Sequence, residues 1–364
     1  MPILEKASAR RRGRFGDFLA VLLLAVVIGG IVWLWWHEKH PPKNRRYKPI
    51  ATAIATAAPT FKKPKLKPLV VAEPAVADFP RPVRDVFEAQ AALARRAISP
   101  GSLDAAIGSQ TRAAIAAFQR SQNLFETASL DTNTRSLLTL DMALLTNYIV
   151  TTNDLVRLQP LGQTWLAKSE QTALDYETIL EEVAEKAHSH PLLIEKLNPD
   201  LVWSNVPAGT VLKIPGVNYP EPAETAAFVI IHLSAKFLEA FGVETNLLLH
   251  CPCSIAAKVE KRPVGELHVI VVAPHPNYTV DPGLFPESAE LQAIGHKLIL
   301  PPGPNNPVGV AWIGLDRPGY GMHGTPVPEQ VGRTESHGCF RLANWDAEYL
   351  LKLVWIGMPV EVVP

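Results

Sequence analysis

The first strongly patterned part of the chain is the uncharged, mainly apolar stretch FLAVLLLAVVIGGIVWLWW at residues 18–36. As a helix it would be about 28 Å long, which matches the hydrocarbon thickness of a bilayer. It ends in Trp33, Trp35 and Trp36, which are typical of a membrane interface, and it lacks the short apolar core of a cleaved signal peptide. We therefore predict a cytoplasmic tail and an uncleaved transmembrane anchor over residues 1–40.

Residues 41–84 show no helical or strand period, and prolines recur among lysine, alanine and valine. Such a composition favours an extended, semi-stiff chain. This segment is predicted to be a linker that carries the following domains away from the membrane.

Residues 85–142 have the spacing of three short helices. In the second helix, Ala114, Ala117 and Phe118 fall on one stripe, and Ser109 is placed to cap the N-terminus. The pattern predicts a small helical domain. By itself it does not distinguish a ligand-binding domain from an inert bundle.

Residues 143–220 combine a helical run with a turn at Leu197–Asp200 and the strand-like VLKIP. An opening strand is expected from Tyr148, in YIVTTNDL. This segment is predicted to be a small α+β module.

Alternating apolar and polar positions begin at Ala226, in AFVIIH, and return in NLLLHCPCSI and ELHVIVV. Such alternation with β-branched residues is typical of strands. Near the end of the chain, Asn344 is placed to cap a helix that Gly357 ends, and residues 359–363 return as a strand. Residues 221–364 are therefore predicted to form a mainly β domain with one helix braced against the last motif.

Charge and cysteine content narrow the possible functions. The chain has 35 basic and 35 acidic residues, so no overall field favours nucleic acid as a partner. Cys251 and Cys253 lie two apart on one predicted strand, too far apart for a relaxed disulfide, and no second Cys or His pair stands at metal-ligand spacing. We predict two core or half-buried thiols and no metal site.

The third cysteine stands in TESHGCFRL, at residues 334–342. Gly338 lets a substrate backbone come close, and a turn there can present successive N–H groups to a developing oxyanion. Cys339 is placed where acyl transfer would use a nucleophile, although a buried structural cysteine is the commoner fate of the residue type.

Two histidines compete to be the base that a thiol needs near neutral pH. His337, if extended, projects beside Cys339 on the same face, where a direct hydrogen bond is awkward. His323 comes from a separate segment, YGMHGTPVP, and can approach head-on. We predict His323 as proton acceptor and donor, with His337 lining the site; alone, either would be an ordinary hydrogen-bonded loop residue.

These motifs resemble the L,D-transpeptidase catalytic domain of the YkuD type. The similarity includes H-G-T at His323–Thr325, S-H-G-C-x-R-L-x-N at Ser336–Asn344, N-P-V-G at Asn306–Gly309, and CSIAAKVEKRPVGEL, in which Val264 and Glu266 replace two threonines of the family pattern. It implies a β-sandwich and a cysteine thioester. The thioester forms when the bond between the diamino acid and D-alanine of a tetrapeptide stem is cut, and an amine then attacks it.

The resemblance also implies roles for individual residues. Cys339 is the nucleophile and His323 the acid and base, and no metal or organic cofactor is required because thiol and imidazole carry the chemistry. Arg341 anchors either the loop or a substrate carboxylate. The remaining expected site residues are His337 as a third catalytic residue, and Gly324, Thr325, Ser336 and Gly338 as substrate and oxyanion contacts.

Two upstream segments resemble wall-binding modules. Residues 85–142 carry D-x-x-x-G-x-x-T, from Asp104 to Thr111, and are similar to the three-helix peptidoglycan-binding domain. They depart from its pattern at Ala105, where the family has glycine. Residues 143–220 resemble a LysM module, whose helix pair packs on a two-stranded sheet, but with an insertion too long for that family; an inert spacer is the alternative.

Together these resemblances imply a membrane-anchored enzyme that binds peptidoglycan stem peptides and glycan and cross-links or remodels the wall. The expected location is the inner membrane, single-pass, with the catalytic part in the periplasm. Hydrolysis of the same bonds by water, and a non-catalytic wall anchor, remain as alternatives. A papain-like protease is disfavoured, because there the histidine follows the cysteine.

Overall fold

The structure, a computed structural model, describes residues 68, 69, 71, 78–334 and 338–364. The predicted membrane-spanning stretch lies outside these residues, as does most of the predicted linker. Within the described part of the chain, no helix is both long and apolar enough to cross a membrane. This finding contradicts the predicted single-pass inner-membrane location, and it gives the predicted membrane partner no support.

The helical region after the linker contains three helices, as predicted, and a small antiparallel sheet. Leu93, Ile115 and Phe118 are buried together in its core. Asp85 caps the first helix, since its carboxylate accepts a hydrogen bond from the Glu88 N–H at 2.9 Å. The elements are β1 (Arg81–Pro82), α1 (Val86–Ala94), α2 (Ser109–Ser121), α3 (Thr132–Leu137) and β2 (Thr139–Leu140), with β1 paired to β2.

Two local features differ from expectation at the start of α2. The helix begins at Ser109, so its N-cap is Gly108, and the predicted capping role of Ser109 is wrong by one residue. Ala105 has a φ of 62°, in the left-handed region that favours glycine. The alanine that replaces the family's glycine is therefore held in a strained backbone conformation.

The middle region packs a helix pair on a two-stranded antiparallel sheet, which is the arrangement expected for residues 143–220. Leu145 pairs with Pro215 at one end of the sheet and Ile149 with Val211 at the other. The elements are β3 (Leu145–Ile149), α4 (Thr152–Arg157), α5 (Trp165–Ser169), α6 (Ile179–Lys186), α7 (Pro191–Leu197) and β4 (Val211–Pro215). Assignment of this region to the LysM family stays a prediction.

The C-terminal domain is mainly β, as predicted. Its secondary structure consists largely of strands joined by short loops and 3-10 turns. The elements are β5 (Phe228–His232), β6 (Phe237–Phe241), β7 (Leu247–Pro252), β8 (Gly265–Pro274), β9 (Tyr278–Val280), α8 (Ala289–Ile294), β10 (Leu298–Leu300), β11 (Ala311–Leu315), β12 (Gly321–His323), β13 (Phe340–Arg341), α9 (Asn344–Leu353) and β14 (Pro359–Val363).

The long strand β8 organises this domain. Its first half pairs with β14, and its second half pairs with β11. The result is one curled eight-stranded sheet, in the order β13-β12-β11-β8-β14-β5-β6-β7, and not the two separate sheets of the predicted sandwich. Because a single strand serves both halves, both halves can face one core.

That core lies between the curled sheet and α9. It includes Val269 of β8, Ile313 of β11 and Val360 of β14, all of which are fully buried. Helix α9 begins at Asn344, so the cap residue is Ala343 and the predicted capping role of Asn344 is wrong. The helix packs directly after β13 and so braces the segment that carries Cys339.

The segment between α4 and α6 of the middle region, which the LysM resemblance treats as an insertion, packs on the C-terminal domain. Leu174 is fully buried, its N–H donates to the Pro302 carbonyl, and its own carbonyl accepts from the Asn305 N–H, both at 2.9 Å. Gly303 has a φ of 148°, and a side chain there would overlap the Leu174 carbonyl. Leu174 also shares a small core with the β9–β10 hairpin. The segment between α4 and α6 therefore forms an interface with the C-terminal domain.

Candidate active site

The predicted base lies on β12, and the predicted nucleophile immediately precedes β13, the parallel strand beside it. The register of β12 and β13 places His323 beside Arg341, so Cys339, two residues earlier, lies beside Gly321. Residues in register share a face of the sheet, which makes Cys339 and His323 diagonal neighbours on one face. With strands about 4.8 Å apart and a rise of about 3.3 Å per residue, such neighbours are about 8 Å apart at Cα.

Cys339 is half-buried in the residue position just before β13. Its thiol donates a hydrogen bond to the Gly319 carbonyl at 3.3 Å. Burial raises the pKa of this thiol to about 11, opposed by a hydrogen bond from the Gly321 N–H and by the positive charge of Arg341. The thiol is therefore protonated at neutral pH, and it is not sealed inside the apolar core.

His323 is buried, and its ring has one defined hydrogen bond. Its Nδ1 lies 2.6 Å from the Gly324 carbonyl oxygen. Because a carbonyl oxygen can only accept, Nδ1 carries the proton and Nε2 is left with the lone pair of a base. Burial lowers the pKa of His323 to about 4, opposed by the Gly324 bond and assisted by the charge of Arg341. The imidazole is thus neutral at neutral pH.

The indole of Trp312, on β11, packs against the imidazole ring of His323. Trp312 is paired with His323 across the strands, and the two rings stack with centroids 5.7 Å apart and planes at 25°. A side chain at Gly321 would come within 2.8 Å of the indole, so glycine leaves room for the ring. Sequence reasoning did not single out Trp312, because its position opposite His323 depends on strand register.

Asn344 joins three segments behind the site. Its Oδ1 accepts hydrogen bonds from the N–H groups of Thr325 at 2.9 Å and Val310 at 3.3 Å. Its Nδ2 donates to Glu185 Oε2 at 3.0 Å and to the Pro304 carbonyl at 3.2 Å. This fully buried side chain holds the end of β12 and the loop before β11 in place.

Glu185 brings the middle region into the same network. It lies on α6, and its Oε1 accepts a hydrogen bond from the Tyr176 hydroxyl at 2.9 Å. Burial raises the pKa of Glu185 to about 7, opposed by the hydrogen bonds from Asn344 and Tyr176. The segment predicted to be a wall-binding module or a spacer therefore supplies a carboxyl group that supports the site.

The N–H groups of the two residues after His323 donate hydrogen bonds to other parts of the protein. The Gly324 N–H donates to the Ala311 carbonyl at 3.2 Å, and the Thr325 N–H donates to Asn344. A side chain at Gly324 would overlap the Asn344 amide oxygen. Both residues thus hold β12 against its surroundings.

The remaining predicted site residues lie around the cysteine. Among the residues that the structure describes, no atom lies within 4 Å of where a side chain at Gly338 would begin, which leaves space beside its backbone. Arg341 is half-buried, and its positive charge acts on both Cys339 and His323. Ser336 and His337 lie outside the described residues.

Tyr278 of β9 is a further residue near the sulfur. Burial raises the pKa of its phenol, and the proximity of Cys339 raises it further. The β9–β10 hairpin that carries Tyr278 packs on the insertion of the middle region. No local motif marks this tyrosine in the sequence.

The other two cysteines are separate from the site. Cys251 and Cys253 are fully buried free thiols, as predicted, and burial raises the pKa of both. Among the described residues, no three His, Cys, Asp or Glu side chains are arranged to hold a metal ion.

Comparison with known proteins assigns two parts of the chain. Residues 226–362 match the family model of the L,D-transpeptidase catalytic domain (YkuD), and residues 83–138 match that of a putative peptidoglycan-binding domain. The chain is 25% identical over 185 residues to a putative L,D-transpeptidase YkuD of Bacillus licheniformis, covering 51% of this chain and 93% of the relative.

Similarity extends to a second relative and to a solved structure. The chain is 28% identical over 169 residues to the probable L,D-transpeptidase YbiS of Escherichia coli, covering 43% of this chain and 50% of the relative. A solved L,D-transpeptidase from Mycobacterium smegmatis aligns with 18% identity and a TM-score of 0.30, covering 44% of this chain and 76% of that one.

The thiol just before β13 and the imidazole on β12 form a candidate cysteine-histidine site, and the family match gives the class of the domain. The chain contains an L,D-transpeptidase catalytic domain of the YkuD family, and a peptidoglycan-binding domain precedes it. The LysM assignment of residues 143–220 has no such support.

Proposed function

We propose that the protein transfers acyl groups between peptidoglycan stem peptides through a thioester on Cys339, with His323 as acid and base. The observation that carries this proposal is the 2.6 Å contact between His323 Nδ1 and the Gly324 carbonyl oxygen. The Nδ1 proton is held by the Gly324 carbonyl, which leaves Nε2 as a base on the face that Cys339 shares. The preceding peptidoglycan-binding domain supports the same polymer as substrate.

In the first half-reaction, the sulfur attacks the carbonyl carbon between the diamino acid and D-alanine of a tetrapeptide stem. The thiol proton passes to Nε2 of His323 as the sulfur–carbon bond forms, because the resting thiol and imidazole are both neutral. The open backbone at Gly338 supplies N–H groups to the oxyanion. The carbon–nitrogen bond then breaks, and His323 returns the proton to the departing D-alanine amine.

In the second half-reaction, an amine acceptor attacks the thioester. His323 takes a proton from the amine, a new amide bond forms, and the sulfur leaves and recovers its proton. Arg341 lowers the energy of negative charge on the sulfur during both steps. Ser336 and His337 are assigned to orient the base and contact the oxyanion, while Gly324 and Thr325 keep β12 in position.

The helical domain and the middle region hold the wall polymer close to the site. Binding by a second module raises the effective concentration of a substrate that belongs to the same polymer. We assign residues 143–220 to a divergent LysM module on the basis of its helix pair and two-stranded sheet.

Mass spectrometry of purified tetrapeptide muropeptides incubated with the whole protein tests the proposal. Cross-linked dimers that have lost one D-alanine are expected, and the Cys339→Ala variant should form none. Loss of D-alanine without dimers would identify a hydrolase instead. If neither product appears, and no carbapenem adduct forms on Cys339, the domain is a non-catalytic wall-binding protein.

The choice between the two imidazoles has its own test. His323→Ala should slow acylation by a carbapenem by about a hundredfold or more, as for removal of a general base. His337→Ala should have a smaller effect. A larger loss in the His337→Ala variant would assign the base to His337.

A further inference from the structure

Ser254 joins the two ends of the loop that carries Cys339. Ser254 is fully buried, and its hydroxyl accepts a hydrogen bond from the Gly332 N–H at 2.8 Å. Its backbone makes two hydrogen bonds with Arg341, N–H to carbonyl at 2.8 Å and carbonyl to N–H at 3.0 Å. The two ends of the loop from Gly332 to Arg341 therefore meet at Ser254.

A side chain from the helical domain also contacts the first end of this loop. Gln110, in the first turn of α2, donates from Nε2 to the Val331 carbonyl at 2.5 Å. Its amide group lies between two glycines with positive φ, Gly101 at 79° and Gly332 at 71°. A side chain at Gly101 would overlap the Gln110 oxygen, and one at Gly332 would lie 2.8 Å from its nitrogen.

We propose that Gln110 is a positioning residue for the loop that carries Cys339, which makes the helical domain part of the catalytic unit. The proposal rests on the proposed function only in assigning catalysis to Cys339. Moving Val331 would move Gly332, and through Ser254 it would shift Arg341, which is two residues from the sulfur. A domain that served only to bind the wall would not need the Gln110 amide to fit between Gly101 and Gly332 and donate a hydrogen bond to this loop.

The direct test compares Gln110→Ala and Gln110→Glu with the wild-type protein. One neutral hydrogen bond is worth up to about tenfold in an equilibrium, so we expect the rate constant for acylation of Cys339 by a carbapenem to fall by about three- to tenfold in the alanine variant. Gln122→Glu, at the exposed C-terminal end of the same helix, is the matched control and should be unchanged.

The glutamate variant separates positioning from a loss of structure. Its side chain keeps the size of glutamine, but above its pKa it places a carboxylate against the Val331 carbonyl. Once protonated, it can donate again. The ratio of its acylation rate to that of the wild type should therefore recover as the pH falls from 8 to 5, while retention on insoluble peptidoglycan and Tm stay close to the wild-type values.

Two outcomes would overturn the proposal. One is an unchanged acylation rate in both variants, and the other is a loss that is the same at every pH and follows a fall in Tm. Alkylation of Cys339 by iodoacetamide is measured in parallel, since it needs only a reactive thiol. If no carbapenem adduct forms on the wild type, the proposed function fails, and the alkylation rates still decide the role of Gln110.

Discussion

Glu185 and Asn344 are 159 residues apart in the chain, and their side chains meet at 3.0 Å behind the candidate active site. Asn344 in turn accepts the Thr325 N–H at the end of the strand that carries His323. A carboxyl group of the middle region thus contributes to the position of His323 in the C-terminal domain.

Replacing Glu185 by alanine should reduce both stability and activity. The Asn344 amide would lose one of its two acceptors, and leaving a buried donor poorly satisfied costs about 1–3 kcal/mol. We expect a loss of this size in urea unfolding and an approximately tenfold slower acylation of Cys339 by a carbapenem.

Two further variants give the controls for Glu185. Glu185→Gln keeps an acceptor for Asn344 and a partner for the Tyr176 hydroxyl, so it should retain most of the activity. Glu170→Ala, at an exposed position of the same region, should behave as the wild type. Equal rates for Glu185→Ala and Glu170→Ala would show that the link to Asn344 does not support catalysis.

The reactivity of Cys339 should rise steeply with pH. With a thiol pKa of about 11, the thiolate fraction grows about tenfold per pH unit between pH 7 and 9. The rate of alkylation of Cys339 by iodoacetamide should follow the same slope, with the buried Cys251 and Cys253 unlabelled in the folded protein. A rate that is flat across this range would indicate a preformed thiolate–imidazolium pair.

Asp346 should make stability fall as pH rises. It is fully buried on α9, where it accepts hydrogen bonds from the Tyr219 hydroxyl at 2.5 Å and the Ser99 hydroxyl at 3.2 Å. Burial raises its pKa from 3.8 to about 7, opposed by these bonds. The folded state therefore holds this proton more tightly, so the stabilisation is complete below about pH 4 and is lost as the pH rises to 7.

An Asp346→Asn variant isolates this effect. Between pH 5 and 7 the wild-type free energy of unfolding, measured relative to that of the variant, should fall by about 2 kcal/mol. Urea titrations of both proteins at the two pH values measure it. A difference that is independent of pH would mean that Asp346 does not keep its proton in the folded state.

Ala105→Gly should stabilise the helical domain. Ala105 is in the left-handed conformation, which costs an alanine about 1–2 kcal/mol, partly offset by the greater freedom of glycine in the unfolded chain. We expect a gain of up to about 1 kcal/mol in thermal unfolding. Ala106→Gly, at the next position and without a positive φ, should instead destabilise, and a gain there of equal size would refute the explanation.

The parts of this protein that were predictable from sequence are those with local signals. The three helices of residues 85–142 follow from apolar spacing, and the β pattern after Ala226 follows from alternation. Cys339 and His323 could be selected because each stands in a short motif with a chemical reason for its residues. Their proximity then depends on the pairing of β12, which carries His323, with β13, which directly follows Cys339.

The parts that were not predictable depend on contacts between distant segments. Asn344 and Asp346 carry the sequence signal of a helix N-terminus, with an amide at the cap and an acid in the first turn. In the fold, tertiary partners engage both side chains instead. Trp312 and Glu185 acquire their roles only from strand register and from the docking of the middle region. Curling of one sheet, in place of two, results from a β8 long enough to serve two partners.

That shared strand has a consequence for how the enzyme fails under heat. Neither half of the sheet can separate from β8 without exposing the core that both halves share. We therefore expect the domain to unfold without a stable, partly unfolded intermediate. A destabilising substitution near Val360, remote from the sulfur, should therefore lower the unfolding temperature of the whole C-terminal domain. The reaction of Cys339 with a carbapenem should be lost at that same temperature.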